Sequence, residues 1–271
     1  MEIDKRSLME FAANLAVQSG EIIRQSENKI QSIEHKSEVD LVTDIDRKVQ
    51  DFICGSIHKE YPAHNITSEE QFERREESPF RWIIDPIDGT TNFVHGYPMY
   101  GVSIALEYRD DIVLGAVCNP CRDELFSAVK GGGAFLNAQR ICVSKTEALE
   151  QSLIATGFSY AMRETRKSLS PYLGIFKNMV EKAQGIRRDG SAALDLCSVA
   201  CGRFDGFFEE GLKEWDVAAG QLIVHEAGGR VTDFSGELLY RGQTTLLASN
   251  SRIHKELQEI TLHFLELYEK I

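Results

Sequence analysis

The chain has 271 residues, 42% of them hydrophobic and 27% charged, enough apolar content to bury a core as one large domain or two closely joined halves. Its net charge of −12 argues against nucleic acid and anionic membranes as partners, because the densest basic groups are only Arg74-Arg75 and Arg187-Arg188. No run approaches the roughly 20 apolar residues of a membrane span, and MEIDKRSLMEF lacks a basic-then-apolar leader, so the cytoplasm is the expected location.

From Ser7 to about Gln25, Leu8, Phe11, Ala12, Leu15, Ile22 and Ile23 fit a helical stripe. A short extended piece (IQSIEHK) and a polar loop (SEVDL) follow. Thr43 or Asp44 then caps a second helix with Val49, Phe52, Ile53 and Ile57 inward, ending before Pro62. RWII, YGVSIALEY, DDIVLGAVCNP, DELFSAVKGGG and ICVSK read as successive strands joined by short turns, which predicts an antiparallel sheet. Cys118 and Cys121 form a C-x-x-C around an Asn-Pro turn, with no second pair at zinc spacing.

Past Lys145 the rhythm changes. SLIATGF (strand), a helix up to about Ala183, GIRRDG, AALDLCSVACG (helix), FDGFFEE (strand), DVAAGQLIVHEAGG (helix), GRVTDF, TTLLASN and a terminal helix alternate strand and helix. Cys197 and Cys201 share one helix face and read as core. The expected organisation is an α/β chain of two interdependent halves: 1–145, antiparallel, and 146–271, with a mixed sheet.

The stretch WIIDPIDGTTNF (82–93) ends an apolar run with two carboxylates three residues apart, and burying such groups without partners is costly. Pro86 disfavours helix at Asp85, which makes Asp85 the last extended residue before a tight turn. Gly89 allows close backbone approach, and the N–H groups of Gly89, Thr90 and Thr91 are available to an anion if a short helix starts there. That helix has to end at His95-Gly96-Tyr97-Pro98. Oxygen ligands beside an anion-binding turn suit a hard cation such as Mg²⁺. The competing local reading is an Asp-Pro turn with Asp88 as a helix cap. Likewise Asp216, ahead of the apolar-periodic run that ends at Gly228-Gly229, is either a first-turn capping acid or a metal-facing one.

Taken together, WIIDPIDGTTNFVHG and WDVAAGQLIVHEAGG resemble the two signature motifs of the inositol monophosphatase family of Mg²⁺-dependent, lithium-sensitive phosphatases. DLVTDID, TSEE and RRDGSAALDL extend the likeness over essentially the whole chain. The resemblance implies a five-layer α/β/α/β/α sandwich. It also implies two or three Mg²⁺ ions: one held by Glu69, Asp85 and the Ile87 carbonyl with Thr90 nearby, a second by Asp85, Asp88 and Asp216, and a third, weaker one reached from Glu69 through water. Asp46 matches an acid close to the metals, and Lys36 precedes a loop that helps close over them. Gly89 and Thr90 match phosphate-holding positions; Asp88, Ala192, Glu209 and Asp216 match positions that meet substrate hydroxyls, with Gly190 and Ser191 supporting that wall.

The activity so implied is hydrolysis of inositol 1-phosphate or another small phosphorylated polyol or sugar by direct attack of a metal-activated water. Glu69 and Thr90 position that water, and no phosphoenzyme forms. Relatives acting on fructose 1,6-bisphosphate, histidinol phosphate, NADP or adenosine 3′,5′-bisphosphate share the metal core, and some bacterial relatives also work through a regulatory partner surface. Family members are commonly homodimers. Ser68 departs from the small residue usual before the paired glutamates. Lys213-Glu214 and Phe207-Phe208 lie where substrate selectivity is decided. Each acid keeps its plainer counterpart: Asp44 and Asp46 as helix-dipole acids, Glu69-Glu70 as a solvated run, and Glu209-Glu210 as a polar strand end, with Glu210 also a rival to Glu209 as the substrate contact.

Overall fold

Asp4 caps the first helix, α1 (Lys5–Ser26), by accepting the Ser7 N–H at 3.1 Å, and Leu8, Ala12, Leu15, Ala16 and Ile23 form its buried stripe. The computed structural model describes residues 4–27, 30, 32–35, 41–70, 73–159, 169–238 and 245–268. A small hairpin of β1 (Ile33–His35) and β2 (Leu41–Thr43) leads into α2 (Asp44–Glu60). Thr43, rather than Asp44, is its N-cap. The Thr43 hydroxyl accepts the N–H groups of Ile45 and Asp46 at 3.1 and 3.3 Å, and Asp46 Oδ2 accepts the Thr43 N–H at 2.8 Å.

The strands β3 (Asn65–Ser68), β4 (Glu73–Arg74), β5 (Phe80–Asp88), β6 (Gly101–Tyr108), β7 (Asp111–Asn119), β8 (Glu124–Val129), β9 (Gly133–Leu136) and β10 (Gln139–Ile141) form an eight-stranded sheet in the order β10-β9-β8-β7-β6-β5-β3-β4. Its pairs are antiparallel apart from β3 and β5, which run parallel. Between β5 and β6 lies the short helix α3 (Thr90–Val94). Arg109 and Asp110, with φ of 51° and 68°, make the two-residue turn between β6 and β7. The expected strand ICVSK stops at Ile141. Val143 leaves the ladder and donates its N–H to the Ala227 carbonyl at 3.1 Å.

In the second half β11 (Leu153–Thr156), β12 (Gly185–Arg187), β13 (Gly206–Glu210), β14 (Arg230–Thr232) and β15 (Thr245–Ser249) form a mixed sheet in the order β12-β11-β13-β15-β14. The β11–β12 and β11–β13 pairs are parallel, and the other two are antiparallel. The helices are α4 (Leu169–Lys182), α5 (Ala192–Ala200), α6 (Glu214–Glu226) and α7 (His254–Tyr268).

Strand alternation explains the layering. Trp82, Ile84 and Ile104 point from the first sheet to α1 and α2, while Ile83, Ala105 and Val117 point the other way, onto α5 and α6. Phe207 of β13 joins that central layer, and its neighbour Phe208 packs outward with Tyr172, Met179 and Leu257 of α4 and α7. The result is an α/β/α/β/α sandwich whose middle layer is α5 and α6. All six cysteines are free. Burial pushes the Cys118 thiol up to about 12, so the C-x-x-C carries no ready thiolate.

Candidate metal-binding active site

Asp85 is not the last extended residue. Strand β5 continues through Pro86 and Ile87 to Asp88, and the register against β6 jumps from Asp85↔Ser103 to Asp88↔Gly101. Two residues of β5 therefore oppose one of β6, a β-bulge placed where Pro86 has no N–H to give the ladder. The bulge has a chemical consequence. In a regular strand, residues three apart point to opposite faces, whereas one inserted residue brings Asp85 and Asp88 to the same face.

Asp216, in the first turn of α6, completes the group: ligand oxygens of Asp85, Asp88 and Asp216 lie within 4.8 Å of one another. Asp85 and Asp88 are buried and Asp216 is half-buried. Each is anchored by backbone. Asp85 Oδ1 accepts the Ile87 N–H at 3.0 Å, and Asp216 Oδ2 accepts the Lys213 N–H at 2.7 Å. Asp88 Oδ2 accepts the Ala193 N–H at 2.8 Å and the Ser191 hydroxyl. Asp216 and Asp46 both stand three residues past a helix N-cap and accept its N–H, so the capping reading of these acids is realised too.

Thr90 links Asp46 to this group. Its hydroxyl lies 3.1 Å from Asp46 Oδ1 and 3.0 Å from the Ile87 carbonyl. Glu69 directly follows β3, and its N–H donates to the Ile84 carbonyl at 3.2 Å, which sets it beside Asp85 at the end of the parallel pair. It is not one of the three clustered acids, but its charge acts on them. Lys36 lies outside the described residues.

Burial, reinforced by neighbouring acids, raises the carboxyls together. Asp85 is pushed well above the usual carboxylate range by burial and then by Glu69, Asp88 and Asp216. Asp216 is pushed up likewise by burial and by Asp88. Asp88 and Asp46 are each pushed up to about 6, burial outweighing the hydrogen bonds from Ser191 and from Thr43 respectively. A trio of oxygen-only ligands crowded at such cost can coordinate a hard divalent cation, which stabilises the ionised forms. The residues fit the group.

The facing wall comes from the second half. Glu209 shares the central-layer face of β13 with Phe207, so alternation turns Glu210 away; burial, with Asp88 adding to it, raises Glu209 to about 8 despite Arg188. Gly89 and Gly190 have left-handed φ of 95° and 85°, and a Cβ on Gly89 would stand 3.0 Å from the Met99 carbonyl and 3.2 Å from that of Gly190. Ser191 is the N-cap residue of α5 and Ala192 its first residue, both buried.

Two residues escaped the sequence reading. The Asn92 amide donates to the Met99 and Asp189 carbonyls at 2.6 and 2.7 Å, holding the 189–190 turn; its place inside TTNF was the available signal. Asp195 in SAALD is buried with Oδ1 unpartnered, and burial, then Glu209, Asp189 and Asp88, push it well up.

Residues 4–266 match the model of the inositol monophosphatase family. The chain is 42% identical over 258 residues to an inositol-1-monophosphatase of Synechocystis sp., covering 94% of this chain and 89% of that protein. It is 40% identical over 255 residues to the Nus factor SuhB of Pseudomonas aeruginosa, covering 92% of this chain and 94% of that protein. Among solved structures, the extragenic suppressor protein suhB of Bartonella henselae superposes with a TM-score of 0.90 at 39% identity, over 94% of this chain and 98% of that one. An IMPase of Thermotoga maritima gives 0.88 at 36% identity, over 97% and 99%. The chain belongs to the inositol monophosphatase family and is an enzyme of the hydrolase class.

Proposed function

We propose that this member of the family is a Mg²⁺-dependent phosphomonoesterase acting on inositol monophosphate or a closely related small polyol or sugar phosphate. The observation that carries the reading is the convergence of Asp85, Asp88 and Asp216 within 4.8 Å through the β5 bulge. The identity to an inositol-1-monophosphatase supports the substrate class.

In this reading Glu69, Asp85, the Ile87 carbonyl, Asp88 and Asp216 hold two or three Mg²⁺ ions. Bound there, Mg²⁺ supplies charge neutralisation for the acids and the phosphate dianion, acidification of water, and stabilisation of the leaving oxygen. The chain's own groups do the rest. Glu69 and the Thr90 hydroxyl orient the attacking water, and the Glu69 carboxylate accepts its proton, with Asp46 fixing the Thr90 rotamer from 3.1 Å. The N–H groups of Gly89 and Thr90 hold phosphate oxygens, the left-handed Gly89 allowing their approach. Asp88, Ala192, Glu209 and Asp216 meet the substrate hydroxyls, on a wall that Gly190 and Ser191 shape. Water attacks phosphorus directly, so no phosphoenzyme forms.

We further propose a cytoplasmic homodimer; no helix among the described residues is long and apolar enough to cross a membrane. A second role through a partner surface has one support, the name Nus factor borne by the Pseudomonas relative. Phosphate release from inositol phosphates, glycerol 2-phosphate, fructose 1,6-bisphosphate, adenosine bisphosphate, histidinol phosphate and NADP, with Mg²⁺ or chelator, tests the enzyme reading. Inositol monophosphate should turn over fastest, with Mg²⁺ required and lithium inhibitory. Absence of turnover across the panel refutes the reading.

A further inference from the structure

Arg81 sits on the face of β5 shared with Ile83 and Asp85, turned toward α6, and its side chain is only 15% exposed. Its Nη1 and Nη2 donate to Glu214 Oε1 and Oε2, both at 2.8 Å. Nε and Nη2 also reach Glu107 Oε1 and Oε2 at 3.3 and 3.0 Å, and Nη1 reaches the Thr67 hydroxyl at 3.3 Å. Apart from Glu107 on β6, these groups stand close in sequence to the proposed metal ligands. Thr67 is on β3, two residues before Glu69; Arg81 is on β5, four before Asp85; Glu214 opens α6, two before Asp216.

A plain stabilising ion pair explains this poorly. Glu214 adds a second acid to a guanidinium that already holds Glu107 in a largely enclosed site, and enclosed ion pairs bring little net stability. What Glu214 gains is location. Asp85 and Asp88 are fixed to each other by one strand, whereas Asp216 arrives on a separate helix and is repelled by both. A planar two-bond fork restrains the rotation as well as the distance of that helix end, which a point charge does not. The Ser103 hydroxyl, in the residue that pairs with Asp85, adds a bond to the Trp215 carbonyl at 3.3 Å.

We infer that Arg81 is a positioning residue for the metal centre: through its fork to Glu214 it sets the first turn of α6 so that Asp216 meets Asp85 and Asp88. The inference rests on the Mg²⁺ reading above.

The test is calorimetric Mg²⁺ titration of the metal-free full chain, together with the Mg²⁺-induced shift in melting temperature. The variants are Arg81→Met, Arg81→Lys, Glu214→Met and the double Arg81→Met/Glu214→Met. Arg203→Met serves as control, because Arg203 pairs with Glu124 of β8 at 2.8 Å and not with a residue of α6. Both Met variants should bind Mg²⁺ about tenfold more weakly, the size of effect known for groups that orient metal ligands. The double variant should be no worse than the weaker single one, Lys should not restore affinity, and the control should match wild type. Saturating Mg²⁺ should recover turnover. Wild-type affinity in Arg81→Met and Glu214→Met with only a lower melting temperature, or full restoration by Lys, overturns the inference. Should Arg81→Met fail to fold, Glu214→Met and Arg81→Lys decide it. A wild type that binds no Mg²⁺ at all refutes the phosphatase reading itself, and is distinguished by that first titration.

Discussion

The Asp88 carboxylate of β5 accepts the Ala193 N–H of α5 at 2.8 Å, joining a strand of the first sheet to a helix of the second half at a single acid. Asp46 and Asp216 accept a backbone N–H at the starts of α2 and α6, each from the N-cap of its own helix. In each, one oxygen satisfies a helix N-terminus, where unpaired N–H groups favour negative charge. The second oxygen of Asp46 faces Thr90. Capping therefore fixes the orientation of these acids before any cation arrives.

Asp88→Asn keeps an acceptor for the Ala193 N–H and removes a charge from the cluster. Turnover should fall by more than the about 100-fold typical of losing a group behind a metal ligand. Metal-free protein should melt at the same temperature or higher, because a buried repulsion is relieved. A large drop in the metal-free melting temperature would show that the acid is chiefly a structural cap.

Gly89→Ala should lower stability by about 2 kcal/mol, combining the left-handed penalty of a Cβ with contacts at 3.0 and 3.2 Å to two carbonyls. Gly96 supplies the comparison: its φ is 66° but nothing lies within 4 Å of a Cβ there. Urea unfolding should show Gly96→Ala costing clearly less. Equal midpoints would remove the argument that Gly89 is required by the packing of the 189–190 turn.

The order of strands and helices was legible because apolar spacing is local: the stripe of α1, the alternation of β6 and the capping signal at Thr43 all lie within a few residues of what they specify. Spacing alone predicts a turn where β5 has its bulge, since Pro86 is compatible with either and only the ladder with β6 decides between them. Resemblance supplied Glu69 and Asp216 as partners of Asp85, which spacing alone did not. No local signal marks Asp195 on its largely apolar helix. Its raised carboxyl comes from burial and then from Glu209 and Asp189, which arrive from other elements. Arg81 and Glu214 are 133 positions apart, and neither carries a local signal of the other.

Asp195→Asn should stabilise the protein, and more at pH 8 than at pH 5. Burial raises this carboxyl well above its unfolded value, so the folded chain holds a proton that the unfolded chain releases as pH rises, and that difference costs stability progressively. An amide never ionises and escapes the cost. Melting curves at the two pH values measure it. A variant less stable at pH 8 would mean that the ionised acid has a stabilising partner.

The same linkage predicts how Mg²⁺ and pH act together. Burial pushes Asp46 and Asp88 up to about 6 in the folded chain and Glu209 up to about 8, and raises Asp85 and Asp216 well above the usual carboxylate range. Unfolded, all ionise at about 4. Between those values the native state holds more protons, so metal-free protein should lose stability as pH rises from about 4 through 6 and on toward 8. Mg²⁺ requires ionised ligands, so its binding releases protons and strengthens over the same window. Melting with chelator should therefore fall from pH 5 to pH 8, while the rise in melting temperature on adding Mg²⁺ grows. Calorimetry at pH 6 in buffers of different ionisation enthalpy should register net proton release. A Mg²⁺ shift that is largest at pH 5 would contradict an acid cluster held protonated until the metal binds.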